Sequence, residues 1–359
     1  MRIGILADPP FLIHSCAIVG DNIAKRLTER GHEVHYLGFN FRGINRGETV
    51  EFHGYKVHPD TGKFAASHES ITNFIEDSGI EILFGHGCHD IFRGCVTGCR
   101  ACGIPFVPQT FWDGRGFDFR YLRQADKVIV VNRFSKDLFE KTGILDVEFI
   151  PNGVDISLFF PENSTNSEEF VIFANSTNTY WKHPNEVMKA CLKLNFKFKL
   201  IYLLGSVEGH YALDKYIRKL GDRLELISTD KKETFIDGTT YSQLPQAEVA
   251  KLYQKADLFV HASLHEGMNL CILEALSSGL PVICSANPTV SEPVIDNQQG
   301  FHFYDHSEIA NLITFAYRHR NSVLKLIKKH ARRRAVQQYN WDLVIYKIEK
   351  TLERVLDGF

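Results

Sequence analysis

No apolar stretch in the 359-residue chain reaches membrane-spanning length, so any membrane contact is expected to be peripheral. Charge of one sign is also lacking. The 41 Lys and Arg against 43 Asp and Glu leave a formal charge of −2, which argues against a protein built to grip nucleic acid. The eight cysteines form no obvious paired framework. Free thiols in a reducing compartment, and with them a cytoplasmic location, are the expectation. Large-scale disorder is excluded by an apolar fraction of 44% and a charged fraction of 23%. The N-terminal apolar run 3–7 is short and stops at Asp8-Pro9-Pro10, so it reads as a strand and not as a signal peptide.

What is present is a chain too long for one ordinary core, which predicts two domains. Short apolar runs at 2–7, 33–37, 81–85, 104–107, 127–131 and 147–150 alternate with helical periodicity, such as Ile18, Ile23 and Leu27. After Pro151-Asn152-Gly153 the rhythm repeats, with strands expected at 170–174, 198–204, 224–228, 258–262 and 282–284 and helices between them. Repeated strand–helix units imply α/β architecture around mostly parallel sheets. The polar stretch 161–169 suggests a first domain over 1–160 and a second over 161–338. Residues 339–359 carry an apolar stripe of Trp341, Ile345, Ile348, Leu352 and Val355 that needs a surface to cover.

The most informative segment is His265-Glu266-Gly267-Met268-Asn269-Leu270-Cys271-Ile272-Leu273-Glu274-Ala275-Leu276. On one continuous helix, glutamates eight residues apart share a face. Gly267 and Asn269 suggest instead that the helix starts after Glu266, leaving Glu266 on the loop and Glu274 well inside. Backbone N–H groups from Met268 to Cys271 are then expected to receive an anionic diphosphate at the helix mouth. One carboxylate is placed to accept hydrogen bonds from sugar hydroxyls and the other to hold a ribose diol. Alone, the two glutamates are better explained by an acidic helix start; the strand before, the glycine inside and Gly279-Leu280-Pro281 after point instead to ligand chemistry.

This stretch resembles the E-x7-E signature of the retaining GT-B glycosyltransferases of glycosyltransferase family 4, the glycogen-synthase-like group. Arg30-Gly31-His32-Glu33-Val34, Pro151-Asn152-Gly153-Val154-Asp155 with Phe159, Ala256-Asp257, Glu292 and Gly300 match in order. The resemblance implies two Rossmann-like domains facing a central cleft, with a C-terminal helix crossing back to the first domain. It implies transfer of a hexose-type sugar from a UDP- or GDP-sugar, with retention and without a metal or cofactor, to a glycan, lipid-linked or protein acceptor in glycan biosynthesis. Lys182 takes the place of the lysine that neutralises the diphosphate and Glu266 orients the donor sugar, the two catalytic assignments. Ser15, Asn175, Gly267, Met268, Asn269, Leu270 and Glu274 complete the donor side. The companion arginine is absent, and Asn175 or Ser176 stands there. The glycine pair before the first helix is replaced by His14-Ser15. The first-domain histidine near the reacting sugar is replaced by Trp112-Asp113, where either Trp112 stacks or Asp113 takes the polar role. His86 either lines the acceptor cleft or is a satisfied strand-end histidine.

Two signals are read as packing or solvation. Cys95, Cys99 and Cys102 have iron–sulfur-like spacing, with Cys88, His86 and His89 nearby, yet fall on one helix face. The basic run Lys325, Lys328, Lys329, Arg332, Arg333 and Arg334 reads as a solvated helix face, with attraction to anionic lipid as its functional alternative. Other functions compatible with the pattern are a nucleotide-sugar epimerase of the same fold and an inactive sugar-nucleotide-binding relative.

Overall fold

The structure is a computed structural model that describes residues 1–12, 15–39, 48–59, 66–87, 92–111, 121–144, 146–162, 169–205, 207–228, 233–234, 240–241, 244–267 and 269–359. The chain divides into two compact units. The first comprises Met1–Asn152, Glu233–Tyr241 and Trp341–Phe359, and the second Gly153–Lys232 and Ser242–Asn340.

The first unit is built on β1 (Arg2–Ala7), β2 (Glu33–Gly38), β3 (Val50–Phe52), β4 (Tyr55–His58), β5 (Ile82–His86), β6 (Phe106–Thr110), β7 (Val128–Val130) and β8 (Val147–Phe149). They form one sheet in the order β3-β4-β2-β1-β5-β6-β7-β8. Only the β3–β4 hairpin is antiparallel. Apolar runs such as Ile3-Gly4-Ile5-Leu6 are fully buried because helices cover both faces of a parallel sheet. Helix α1 (Ser15–Glu29) buries Ala17, Val19, Ile23, Ala24 and Leu27. It lies so close that a Cβ on Gly20 would come within 2.3 Å of the Tyr36 hydroxyl. Helix α2 (His68–Ser78) opens on a reciprocal Ser67–Ser70 cap and ends at Gly79 in the left-handed conformation.

The cysteine-bearing segment is α3 (Arg93–Cys102), and its small residues set its position. A Cβ on Gly94 would meet the Ala66 carbonyl at 2.2 Å and one on Gly98 would meet Ile71 at 2.6 Å. Cys95 and Cys99 pack in the core, where burial pushes both thiols up. Cys88 and His89 lie outside the described residues. Helix α4 (Arg133–Lys141), capped by Asn132, completes this half of the chain.

The second unit contains β9 (Phe170–Ser176), β10 (Phe198–Leu204) and β11 (Leu224–Ser228). A short antiparallel pair, β12 (Glu233–Thr234) with β13 (Thr240–Tyr241), comes next in the chain but belongs to the first unit; the second unit resumes with β14 (Leu258–His261), β15 (Val282–Ser285) and β16 (Gly300–Phe303). Its parallel sheet runs β11-β10-β9-β14-β15-β16. That order is the 3-2-1-4-5-6 of doubly wound nucleotide-binding sheets, with the strand order reversing between β9 and β14. Around it lie α5 (Pro184–Leu192), α6 (Asp214–Leu220), α7 (Gln246–Lys255), α8 (Leu270–Ser277), α9 (Pro288–Ser291), α10 (Ile309–Arg318) and α11 (Val323–Arg334). Arg332 of α11 is spent on carbonyls, donating to Phe159 O at 2.8 Å, Ser277 O at 2.8 Å and Ile156 O at 3.0 Å. Arg334 donates to Pro293 O and Glu292 O. These two are therefore structural members of the basic run and not part of a solvated face.

After a π-helical turn at Ala335–Tyr339 the chain re-enters the first unit as α12 (Trp341–Gly358). Trp341, Val344, Ile345, Ile348 and Leu352 are buried, and the helix packs on α1. Val355, at the end of the expected stripe, is only half-buried. Buried Glu349 accepts from Arg30 Nη2 at 2.5 Å and lies 2.8 Å from His32 Nε2. Arg30 first, and then His32, hold its carboxyl below the usual value against the opposing effect of burial. Such a carboxylate adds stability above the ordinary glutamate pKa, and the gain is lost as pH falls through the lowered one. Glu349→Gln is expected to cost about 1–2 kcal/mol at pH 7. The deficit against wild type should close on acidification to about pH 3 in denaturant titrations, and a constant deficit across pH would contradict the ion-pair account.

Candidate functional site

Two loops meet at the carboxyl edge of the second sheet, where its strand order reverses. One follows β9 and carries Lys182; the other follows β14 and carries Glu266. The Lys182 loop is pinned by Asn178, whose Nδ2 donates to Val207 O at 2.8 Å and Tyr211 O at 2.9 Å while its Oδ1 accepts from Tyr211 N–H at 3.0 Å. It leads into α5 through His183, a non-glycine residue at φ +48° whose Nδ1 lies 2.8 Å from the Tyr211 hydroxyl. The Trp181 carbonyl ties the loops together, accepting from Leu264 N–H at 3.1 Å and the Ser263 hydroxyl at 3.2 Å. The pairing of Lys182 with Glu266 thus rests on backbone bonds as well as on its own charges.

Lys182 Nζ donates to Glu266 Oε1 at 2.5 Å. Both side chains are largely shielded from solvent. Burial works to raise the Glu266 pKa. It is outweighed by the Lys182 charge, and the carboxyl is set at about 2. Glu266 is therefore an ionised acceptor throughout the physiological range and no proton donor. His261 closes β14 in full burial, with Nε2 at 3.2 Å from Glu266 Oε1 and 2.5 Å from Asn269 Nδ2. One nitrogen cannot serve both neighbours in the same tautomer. Asn269 Oδ1 accepts from Cys271 N–H at 2.9 Å, which aims its amide nitrogen at the ring. His261 Nε2 accordingly accepts from Asn269, and burial keeps the imidazole neutral by lowering its pKa.

The mouth of α8 differs from the expected open row of amides. Asn269 is the N-cap, its side chain takes the Cys271 N–H, and its carbonyl accepts from Ile272 and Leu273 N–H. The expectation that Met268 to Cys271 all offer N–H groups is corrected on this point, because a polar residue just before a helix caps it. Among the described residues, Leu270 N–H keeps no partner at this end of the helix. Met268 lies outside the described residues, and Gly267 sits on the loop between Glu266 and the cap. Helix formation only after Glu266 agrees with the sequence reading.

Glu274, in the second turn of α8, is buried and accepts from the Tyr253 hydroxyl at 3.0 Å, a hydroxyl also 3.0 Å from Cys271 O. Burial lifts its carboxyl to about 7, and the Tyr253 bond only partly opposes that. Between the two glutamates, the Cys271 thiol is pushed up to about 12 by burial and by Glu274, with Lys182 pulling the other way. Of the two candidates at the end of β9, Asn175 turns to α8, with Nδ2 3.3 Å from Cys271 Sγ. Ser176 turns the other way, pairing with the Tyr202 hydroxyl at 3.0 Å. Asn175, Lys182, Glu266, Asn269, Leu270 and Glu274 thus all lie in one unit around one helix mouth.

In the first unit, Ser15 is exposed as the first residue of α1. His86 ends β5 in full burial, with Nδ1 2.8 Å from Gln109 Oε1; burial lowers its pKa to about 4. Gln109 in turn donates to Ile150 O. That arrangement is a satisfied strand-end histidine at one nitrogen. Trp112 and Asp113 lie outside the described residues. Sequence reasoning passed over His261, Asn178 and Tyr253. A histidine closing the apolar run Leu258-Phe259-Val260 was the one local signal available.

A doubly wound sheet in each unit, with polar residues gathered at the strand-order switch of the second, is the GT-B architecture. The chain belongs to the glycosyl transferases group 1 family, whose model matches residues 155–334, and the model described as Glycosyltransferase Family 4 matches residues 18–158. The alpha-monoglucosyldiacylglycerol synthase of Streptococcus pneumoniae is 26% identical over 54% of the chain, a match that spans 45% of that protein. An uncharacterized glycosyltransferase of Methanocaldococcus jannaschii is 22% identical over 94% of the chain and 93% of its own length. Among solved structures, sucrose-phosphate synthase from Thermosynechococcus elongatus superposes with a TM-score of 0.81 at 15% identity, covering 100% of both chains. Anabaena HepE in complex with UDP and glucose gives 0.73 at 17% identity, covering 99% of this chain and 100% of that one.

A buried carboxyl held near 7 carries a cost. From a folded pKa of about 7 and an ordinary value of 4.5, Glu274 removes stability as pH rises between the two. Glu274→Gln keeps the acceptor for Tyr253 and drops the charge. At pH 8 it is expected to raise the stability of the free protein by up to about 3 kcal/mol. At pH 4 the two proteins should coincide. Equal denaturation midpoints at pH 8 would show that the Glu274 carboxylate is well solvated.

Proposed function

We propose that this protein transfers a hexose-type sugar from a UDP- or GDP-sugar to a glycan, lipid-linked or protein acceptor, with retention of anomeric configuration and without a metal. The observation that carries the reading is the Lys182–Glu266 pair at the sheet's switch point, beside the start of α8. Its support from relatives is that the pneumococcal match is named for glycolipid synthesis and the Anabaena structure holds UDP with glucose.

In this reading the diphosphate lies against Lys182 and the Leu270 N–H. Lys182 neutralises the charge that grows on the departing nucleotide, the task a metal ion performs elsewhere. Glu266, always ionised, accepts hydrogen bonds from donor-sugar hydroxyls and fixes the ring's orientation; it forms no covalent bond. Glu274 accepts from the ribose diol and must be deprotonated to do so well. Its carboxyl near 7 therefore makes nucleotide affinity fall as pH drops below neutrality. Retention follows if the acceptor attacks on the face the nucleotide leaves, which suits a site that stabilises a leaving group and supplies no strong nucleophile.

A thermal-shift panel of nucleoside diphosphates and nucleotide sugars identifies the donor, since a ligand of the native state raises the melting temperature. With that donor, hydrolysis and transfer assays separate a transferase from a binder, and the anomeric proton of the product reads the stereochemistry. Lys182→Ala is expected to lower kcat about 10²–10³-fold with a smaller change in KM, and Lys182→Arg to recover part of it. Glu274→Ala should weaken nucleotide binding at least tenfold at pH 8. Wild-type turnover in Lys182→Ala would remove the lysine from the mechanism.

A further inference from the structure

A cavity of about 660 Å³ opens at the opposite, amino edge of the same sheet. Its walls come from the segments that enter β9, β14 and β15 and from one face of α11. Lys325, Lys328, Lys329, Arg332 and Arg333 follow the 3-4-7-8 spacing of a single helical face, while Leu324, Ile327 and Ala331 point into the core. Arg320 joins them, its guanidinium 4.3 Å from the Tyr317 ring centre.

The partners of these cations separate structure from opportunity. Arg332 is consumed by carbonyls and Lys328 pairs with Asp257 at 3.3 Å. Among the described residues, the side chains of Lys325, Lys329 and Arg333 have no ion-pair or hydrogen-bond partner, and all three line this one volume.

We propose that this cavity is a binding site for a compact anion carrying clustered phosphates, held by Lys325, Lys329 and Arg333. A volume of this order suits a small ligand, and the lysines and arginines around the pocket outnumber its carboxylates Glu162, Glu169 and Asp257, which suits several phosphate oxygens. Both an anionic bilayer surface, whose neighbouring headgroups bring single phosphates together, and a free polyphosphate present that chemistry. The site shares no residue with the Lys182–Glu266 mouth and stands whether or not that mouth binds a nucleotide sugar.

The test uses the full chain and two probes: tripolyphosphate by calorimetry in 50 mM salt, and co-sedimentation with vesicles of phosphatidylglycerol in phosphatidylcholine against phosphatidylcholine alone. The triple variant Lys325→Ala/Lys329→Ala/Arg333→Ala alters only exposed side chains, and Lys182→Ala controls for the other anion site. Wild type and Lys182→Ala should bind at least one probe, and the triple variant should bind it at least tenfold more weakly. Binding to acidic vesicles assigns the anion to lipid; binding to tripolyphosphate alone assigns it to a soluble polyphosphate. No binding of either probe by wild type overturns the proposal. So does a triple variant equal to wild type, or loss of binding in Lys182→Ala alone.

Discussion

The second unit is organised around a shielded ion pair. Glu266 could not remain ionised away from bulk water without Lys182, and Lys182 is delivered by a loop that has no helix to support it. The fold solves both problems with the Trp181 carbonyl, which binds the two loops to each other, and with Asn178, which replaces a missing stretch of secondary structure by three side-chain bonds. Breaking a buried pair by removing one partner leaves an uncompensated charge, which is why the loops, and not only the side chains, have to be fixed.

Helix α8 shows how stability and ligand chemistry pull against each other within eight residues. Capping by Asn269 stabilises its start but withdraws the Cys271 amide from any incoming anion. Deep burial of Glu274 packs the helix onto Tyr253 but leaves a carboxyl that ionises reluctantly. Each choice makes the free helix sounder in one respect and its mouth less generous in another. Sites that bind charged ligands commonly carry such compromises.

The alternation of apolar runs made the doubly wound architecture legible, because strands buried on both faces need no polar residue until their ends. The E-x7-E segment was legible because its glycine and asparagine mark where a helix can start. Residues 39–70 were not: β3, β4 and the cap of α2 lie there, and short edge strands carry half-polar sequence with no decisive period. Nor could sequence reveal that Arg332 and Arg334 serve carbonyls more than a hundred residues apart in the chain from Phe159 to Glu292. A run of arginines reads as surface until tertiary structure supplies acceptors. The role of His261 was hidden for a similar reason, since its partners Glu266 and Asn269 depend on the turn between strand and helix.

The first unit is assembled from segments at both extremes of the numbering. Helix α1 packs on the strands of its own sheet, and its remaining flank is covered by α12, some three hundred residues later, which brings Glu349 to Arg30 and His32. During synthesis, the nascent first unit therefore emerges with that flank bare and waits through translation of the entire second unit. Splitting the chain at its middle would yield one fragment that keeps its sheet but loses its clasp.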